Sequence, residues 1–337
     1  MPVHKRSTPE PAHLDPADRR LAVGVVAREP RALAKAITLI ESSRCDHQAR
    51  ATALLEALLP HTGGSFRVGI SGAPGAGKST FIERLGLSLT ARGRRVAVLA
   101  VDPTSAVSGG SILGDKTRME KLARDPNAFI RPSPSGGTLG GVAHKTREAL
   151  ALCEAAGYDV VIVETVGVGQ SETAVAGMTD CFVLLALPNA GDDLQAIKRG
   201  IVELVDFVLV NKADIDPKAA ELARTQIANA FSMLRQRAAH WSPPVLALSA
   251  LTGAGVEAFW GEAERFRAVA TASGAAAAKR KAQALDWMIA LVEHELRARF
   301  YQSAAVRSEL VAVQAAVAEG RMTPAAAAAR LLASGRN

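Results

Sequence analysis

The chain reads as an α/β protein built on a doubly wound, mostly parallel sheet, with N-terminal helices before it and a C-terminal helical arm after it. Three observations carry that reading. Seven short apolar runs recur between residues 66 and 248. Most are continuously apolar rather than alternating, as strands covered on both faces must be. Helical spacing separates many of them, and such β/α alternation winds a parallel sheet. Beyond these runs, residues 274–334 hold only alanine-rich helical pattern.

In chain order, residues 1–30 begin polar and proline-containing, then enter a helix. Residues 31–59 have helical periodicity, with Leu33, Ala36, Ile37 and Ile40, then Leu54, Leu55, Leu58 and Leu59, broken at the polar Ser42–Asp46. Strands are predicted over 66–71, 95–101, 128–131, 159–164, 181–187, 206–211 and 244–248, with helices over 79–91, 141–156 and 217–239. Three more helices are predicted near 278–300, 304–319 and 324–334, separated by Gln302-Ser303 and Gly320–Thr323. The implied domains are a helical extension (1–60), a nucleotide domain (61–270) and a helical arm (271–337). The arm's alanine-rich faces permit close helix approach, and one nucleotide domain cannot cover three such helices. A homodimer built by the arm is therefore expected.

Composition sets further bounds. The 337 residues are 48% hydrophobic but only 4% aromatic, so Leu, Val, Ile and Ala must build most of the core. Cys45, Cys153 and Cys181 fit no metal or redox spacing, and the seven histidines show no paired-ligand spacing. No signal-peptide core opens the chain, and no stretch approaches about 18 uninterrupted apolar residues. A cytoplasmic protein with no membrane span is expected. The net charge is +7, and residues 271–337 carry nine Lys/Arg against five Asp/Glu. Without interleaved aromatics for base stacking, that basic tail reads as a solvated helical face, not a nucleic-acid surface.

Chemistry begins at residues 72–79: Gly72, Ala73, Pro74, Gly75, Ala76, Gly77, Lys78, Ser79, followed by Thr80. This is a complete G-x-x-x-x-G-K-[ST] phosphate loop, with a strand before it and a helix after it. Its glycines let backbone N–H groups turn onto phosphate oxygens, and the helix N-terminus adds positive potential. Lys78 can reach the β- and γ-phosphates, and the Ser79 hydroxyl can ligate Mg²⁺. The base is read from Asn211-Lys212-Ala213-Asp214, after the apolar run Val208–Val210. Asp214 can accept from guanine N1–H and the exocyclic amine, where adenine offers no matching donors. Asn211 can contact the N7/O6 edge, and the stem of Lys212 can cover the ring. Ser249-Ala250-Leu251 follows another strand and offers a backbone amide to the guanine O6. GTP, with GDP as product, is the expected ligand.

Three carboxylates are candidates for the metal and water network: Asp102 after its strand, Glu164 at the end of another, and Asp115 in a glycine-flanked segment. For Asp115 the residues alone leave a solvated loop acid nearly as open. Gly167 lets a backbone N–H approach the γ-phosphate. Val168 stands where small Ras-like GTPases place a glutamine, and Gln170 comes later. Another polarising group is needed, or basal hydrolysis is slow. Gly191–Gly200 offers charged candidates.

Together these segments resemble the MeaB/ArgK-type, methylmalonyl-CoA mutase-associated GTPases of the SIMIBI class. The resemblance rests on Val101–Ser105, Gly109–Met119, Arg131–Pro134, Gly136–Gly141, Glu164–Glu172 and Gly191–Gly200, and spans about residues 30–300. It implies a Mg²⁺-dependent GTPase that serves as chaperone of an adenosylcobalamin-dependent acyl-CoA mutase, gating cofactor delivery and protecting the mutase. Methylmalonyl-, isobutyryl- and 2-hydroxyisobutyryl-CoA mutases are all open as clients. By resemblance Asp102, Asp115 and Glu164 hold Mg²⁺ and its waters, Lys198 is a mobile basic residue of an extra switch, and the arm dimerises. Ala106-Val107 stands where the family typically carries a polar or basic pair. Alternatives are a nickel-insertion GTPase, which needs a His- or Cys-rich site absent from the polar segments, and a small-molecule kinase, which needs a second substrate pocket. A protein-targeting GTPase would carry a methionine-rich domain.

Overall fold

The computed structural model describes residues 14–101, 119–132, 139–165, 171–188, 203–233 and 241–335. The elements below are numbered within those residues. Three helices come first: α1 (Pro16–Val26), α2 (Pro30–Glu41) and α3 (Cys45–Leu58). The Asp15 carboxylate caps α1 by accepting from the N–H groups of Ala17 and Asp18. The first strand and its helix follow, β1 (Phe66–Gly72) and α4 (Lys78–Ala91). Next are β2 (Val96–Val101), the single turn α5 (Glu120–Ala123), β3 (Ala128–Arg131) and α6 (Leu139–Ala155). Then come β4 (Val160–Thr165), α7 (Ser171–Ala176), β5 (Cys181–Ala186), β6 (Phe207–Val210), α8 (Pro217–Met233) and β7 (Val245–Ala247). Four helices complete the described chain: α9 (Val256–Ala272), α10 (Ala275–Gln302), α11 (Ala304–Ala318) and α12 (Pro324–Ser334).

The seven strands form one sheet in the order β3-β2-β4-β1-β5-β6-β7, and every neighbouring pair is parallel. This is the doubly wound sheet expected from the sequence. Two apolar layers lie on its faces. Phe66, Val68 and Ile70 of β1 and Val160 and Ile162 of β4 pack with α4 and α9. Val161 and Val163 of β4 lie on the opposite face, with α1, α2, α3, α6 and α8. Because β-strand side chains alternate faces, one apolar run feeds both layers. Helix α9 was not among the predicted elements. It carries Val256, Phe259, Trp260, Ala263, Phe266 and Ala270 on its buried face.

The chain divides into two compact units, Met1–Lys279 and Arg280–Asn337. The N-terminal helices belong to the first unit and share a core cluster with the sheet. Within the second unit, Val306, Val313, Ala316 and Ala327 are buried, and Arg330 pairs with Glu309 at 3.0 Å. Cys153 and Cys181 are buried free thiols whose pKa burial pushes up, and Cys45 is exposed. Among the described residues, no helix is long and apolar enough to cross a membrane.

Candidate functional site

β1 lies between β4 and β5, so the chain leaving its C-terminal end enters the crevice where the strand order reverses. Open parallel sheets bind ligands at such a point. Gly72 ends β1 opposite Leu185 of β5. A Cβ on Gly72 would stand 2.4 Å from the Leu185 carbonyl oxygen, so only glycine lets the loop leave the sheet here. The loop closes with a bond from the Ala76 N–H to the Ala73 carbonyl at 3.1 Å. Gly77 then adopts φ +89° and starts α4, whose first N–H groups have no acceptor within the helix. Pro74, Gly75 and Thr80 are exposed, while Ala76 and Lys78 are buried. The Lys78 ammonium donates to the carbonyls of Gly72 at 2.8 Å and Ala73 at 3.3 Å. It therefore lies across the loop that the sequence assigns to phosphate.

Glu164 is placed beside this loop by register. It pairs with Ile70 of β1 on one side and Ala100 of β2 on the other. Its side chain is buried, and Oε1 accepts from the Ser79 hydroxyl at 3.2 Å. One residue on, the Thr165 hydroxyl donates to Ser71 Oγ at 3.0 Å, in fully buried surroundings. That hydroxyl pair, which sequence reasoning did not single out, ties the ends of β1 and β4 behind the loop. The Ser79 hydroxyl and the Glu164 carboxylate are hard oxygen donors of the kind that suit Mg²⁺. Asp102, Asp115, Gly167 and Lys198 lie outside the described residues.

The base-reading segments meet the phosphate loop through Asn211. This residue follows β6 and is buried. Its Nδ2 donates to the Ala76 carbonyl at 2.7 Å, and its Oδ1 accepts from the Ala250 N–H at 2.9 Å. One side chain thus bridges the phosphate loop and the Ser249-Ala250-Leu251 turn. The bridge explains Gly77 too, since a Cβ there would stand 2.5 Å from Asn211 Nδ2. One Nδ2 proton remains for the N7 edge of a base. The Ala250 N–H is already spent on Asn211, whereas the Leu251 N–H has no partner among the described residues. Lys212 adopts φ +61°, a left-handed conformation that a non-glycine residue takes at a cost. The reversal leaves Asp214 exposed, with no hydrogen bond among the described residues. Ala213 N–H, bonded to the Leu248 carbonyl at 3.1 Å, holds the two turns side by side.

A phosphate loop at the switch point of a parallel sheet, joined through one asparagine to an Asn-Lys-x-Asp turn, defines the class: a P-loop GTPase. The family can be given more closely. The sequence model described as "Methylmalonyl Co-A mutase-associated GTPase MeaB" matches residues 33–305, and the chain belongs to that family. A relative from Caulobacter vibrioides is 54% identical over 321 residues, covering 95% of this chain and 97% of its own length. The chain is 50% identical to "GTPase ArgK" of Escherichia coli K12 over 279 residues, 82% of this chain and 83% of that one. It is 46% identical to the mouse "Methylmalonic aciduria type A homolog, mitochondrial" over 327 residues, 93% and 78% of the two chains. Among solved structures, one described as "LAO/AO transport system kinase" aligns with TM-score 0.77 and 36% identity, over 97% of this chain and 100% of that one.

Proposed function

We propose that this GTPase hydrolyses GTP to GDP and phosphate as the chaperone of an adenosylcobalamin-dependent acyl-CoA mutase, gating cofactor loading and protecting the mutase. The family's description and the name of the mouse relative support the mutase as partner. The reading of one nucleotide site rests above all on the two hydrogen bonds that join Asn211 to Ala76 and Ala250, which tie the phosphate loop to the base turn; the guanine preference is assigned to Asp214.

In this reading Lys78 exchanges the Gly72 and Ala73 carbonyls for β- and γ-phosphate oxygens. The amides of the loop and of the first turn of α4 take the remaining phosphate oxygens. Ser79 and Glu164, with Asp102 and Asp115, would hold Mg²⁺. When bound, the ion would offset the negative charge that develops on the phosphates. Lys212 covers the ring and Asp214 holds the N1–H and exocyclic amine. Gly167 approaches the γ-phosphate, and Lys198, in the charged segment Gly191–Gly200, reports the mutase to the nucleotide. No glutamine follows Gly167, so intrinsic turnover is slow and a partner accelerates it.

The base assignment is tested by Asp214→Asn. The variant should bind GTP at least ~100-fold more weakly, because a site built for hydrogen bonds rejects a mismatched edge strongly. It should gain affinity for xanthosine triphosphate. Unchanged GTP affinity would remove Asp214 from the base site.

A further inference from the structure

The Ser249-Ala250-Leu251 turn is fixed by bonds on either side of one peptide. The Ser249–Ala250 peptide is held at both ends: its carbonyl accepts from Gly253 N–H at 2.9 Å, and its N–H donates to Asn211 Oδ1 at 2.9 Å. The Leu251–Thr252 peptide is also held at both ends. Its N–H donates to Ser249 Oγ at 3.1 Å, and its carbonyl accepts from Arg84 Nη2 at 2.6 Å. Between them lies the Ala250–Leu251 peptide, whose N–H has no partner among the described residues. Two pinned peptides thus aim a single free donor.

Three of these four restraints come from the turn itself or from the Asn-Lys-x-Asp segment. The fourth comes from α4, the helix that begins in the phosphate loop. Arg84 lies six residues after Lys78, and its side chain passes close to Gly253. A Cβ on Gly253 would stand 3.3 Å from Arg84 Cδ and 3.4 Å from Nε, and Gly253 has φ +89°. Glycine at this point both makes the turn and leaves room for the guanidinium.

We infer that Arg84 is a positioning residue for guanine recognition: it holds the Leu251–Thr252 peptide so that the Leu251 N–H donates to the guanine O6. The inference rests on the proposed guanine site and adds the donor and the residue that aims it. A bond from α4 also makes the base turn follow the helix whose N-terminus carries the phosphates.

The test compares full-length wild type, Arg84→Ala and Arg84→Lys for binding of GDP, 6-thio-GDP and ADP. The 6-thio analogue keeps N1–H and the exocyclic amine but presents sulfur, a weaker acceptor, at position 6. Wild type should prefer GDP to 6-thio-GDP. Arg84→Ala should lose about tenfold in GDP affinity, the worth of one hydrogen bond, and much less for 6-thio-GDP. The preference for oxygen at position 6 then narrows. Arg84→Lys, which can still donate to the Leu251 carbonyl, should keep most of it. Arg84 is exposed, so both variants should fold, and a thermal melt checks this. Equal losses for GDP and 6-thio-GDP, or no loss at all, would overturn the role. A wild type that binds ADP as well as GDP would instead overturn the guanine site itself, and this inference with it.

Discussion

Asn211 shows how much a single side chain can settle. Its sequence context announces a base contact, but the structure gives its carbonyl oxygen and one amide proton to the protein. No local pattern could have shown this, because its partners lie 135 and 39 residues away. Glu154 is a second buried polar residue whose work is invisible to local sequence. Its carboxylate accepts from Arg67 Nε at 2.9 Å and Nη2 at 2.8 Å, from the Ser65 hydroxyl at 2.6 Å and from the Gly63 N–H at 2.9 Å. It thereby fixes the chain that enters β1. Burial alone would raise its pKa, but the Arg67 guanidinium, the Ser65 hydroxyl and the Gly63 N–H outweigh burial and hold it below the ordinary glutamate value. The unfolded chain therefore takes up this proton at higher pH than the folded one. The stabilisation is fully present above the unfolded pKa of about 4.3. It is lost as pH falls from there through the lower folded value. Glu154→Gln should be less stable at neutral pH by on the order of 3 kcal/mol, since Arg67 loses its charged partner. Its melting temperature should also fall less steeply over that acid window than that of wild type. Parallel pH profiles would show that Glu154 carries none of the acid dependence.

Strands were the most legible elements. All seven predicted runs are strands, from Phe66–Gly72 to Val245–Ala247. Strands covered on both faces need apolar residues at nearly every position, and that signal is local. The helices divide. Those predicted over 79–91 and 141–156 are found at Lys78–Ala91 and Leu139–Ala155. The one predicted over 217–239 is described over Pro217–Met233, with residues 234–240 outside the described chain. Helices α5 and α7 are too short, at four and six residues, to show a period. Helix α9 is different, because its buried positions recur at three- and four-residue intervals and the signal was present. It also concentrates the chain's few aromatics: Phe259 packs edge-on to Phe81 and Phe207, and Trp260 to Phe66. At the site, the phosphate loop and base motif were legible because their chemistry dictates residue type at fixed spacing. The Arg84 contact was not, because it joins residues 167 positions apart.

At the scale of the molecule, the second unit offers a surface that its own packing leaves open. Leu285, Met288, Ile289, Val292 and Leu296 of α10 are all exposed, at intervals that place them along one side of the helix. We propose that a second copy of the chain covers this stripe. Ile289→Glu combined with Val292→Glu should give a monomer by light scattering that still binds GTP. A wild type that is itself monomeric would contradict the proposal. If this GTPase answers to a cobalamin-dependent mutase, as proposed, the plainest sign is the rate of GTP turnover by the purified chain, alone and with an acyl-CoA mutase added. Turnover should be slow alone and clearly accelerated by the client mutase. Turnover that none of the methylmalonyl-, isobutyryl- or 2-hydroxyisobutyryl-CoA mutases changes would contradict that reading.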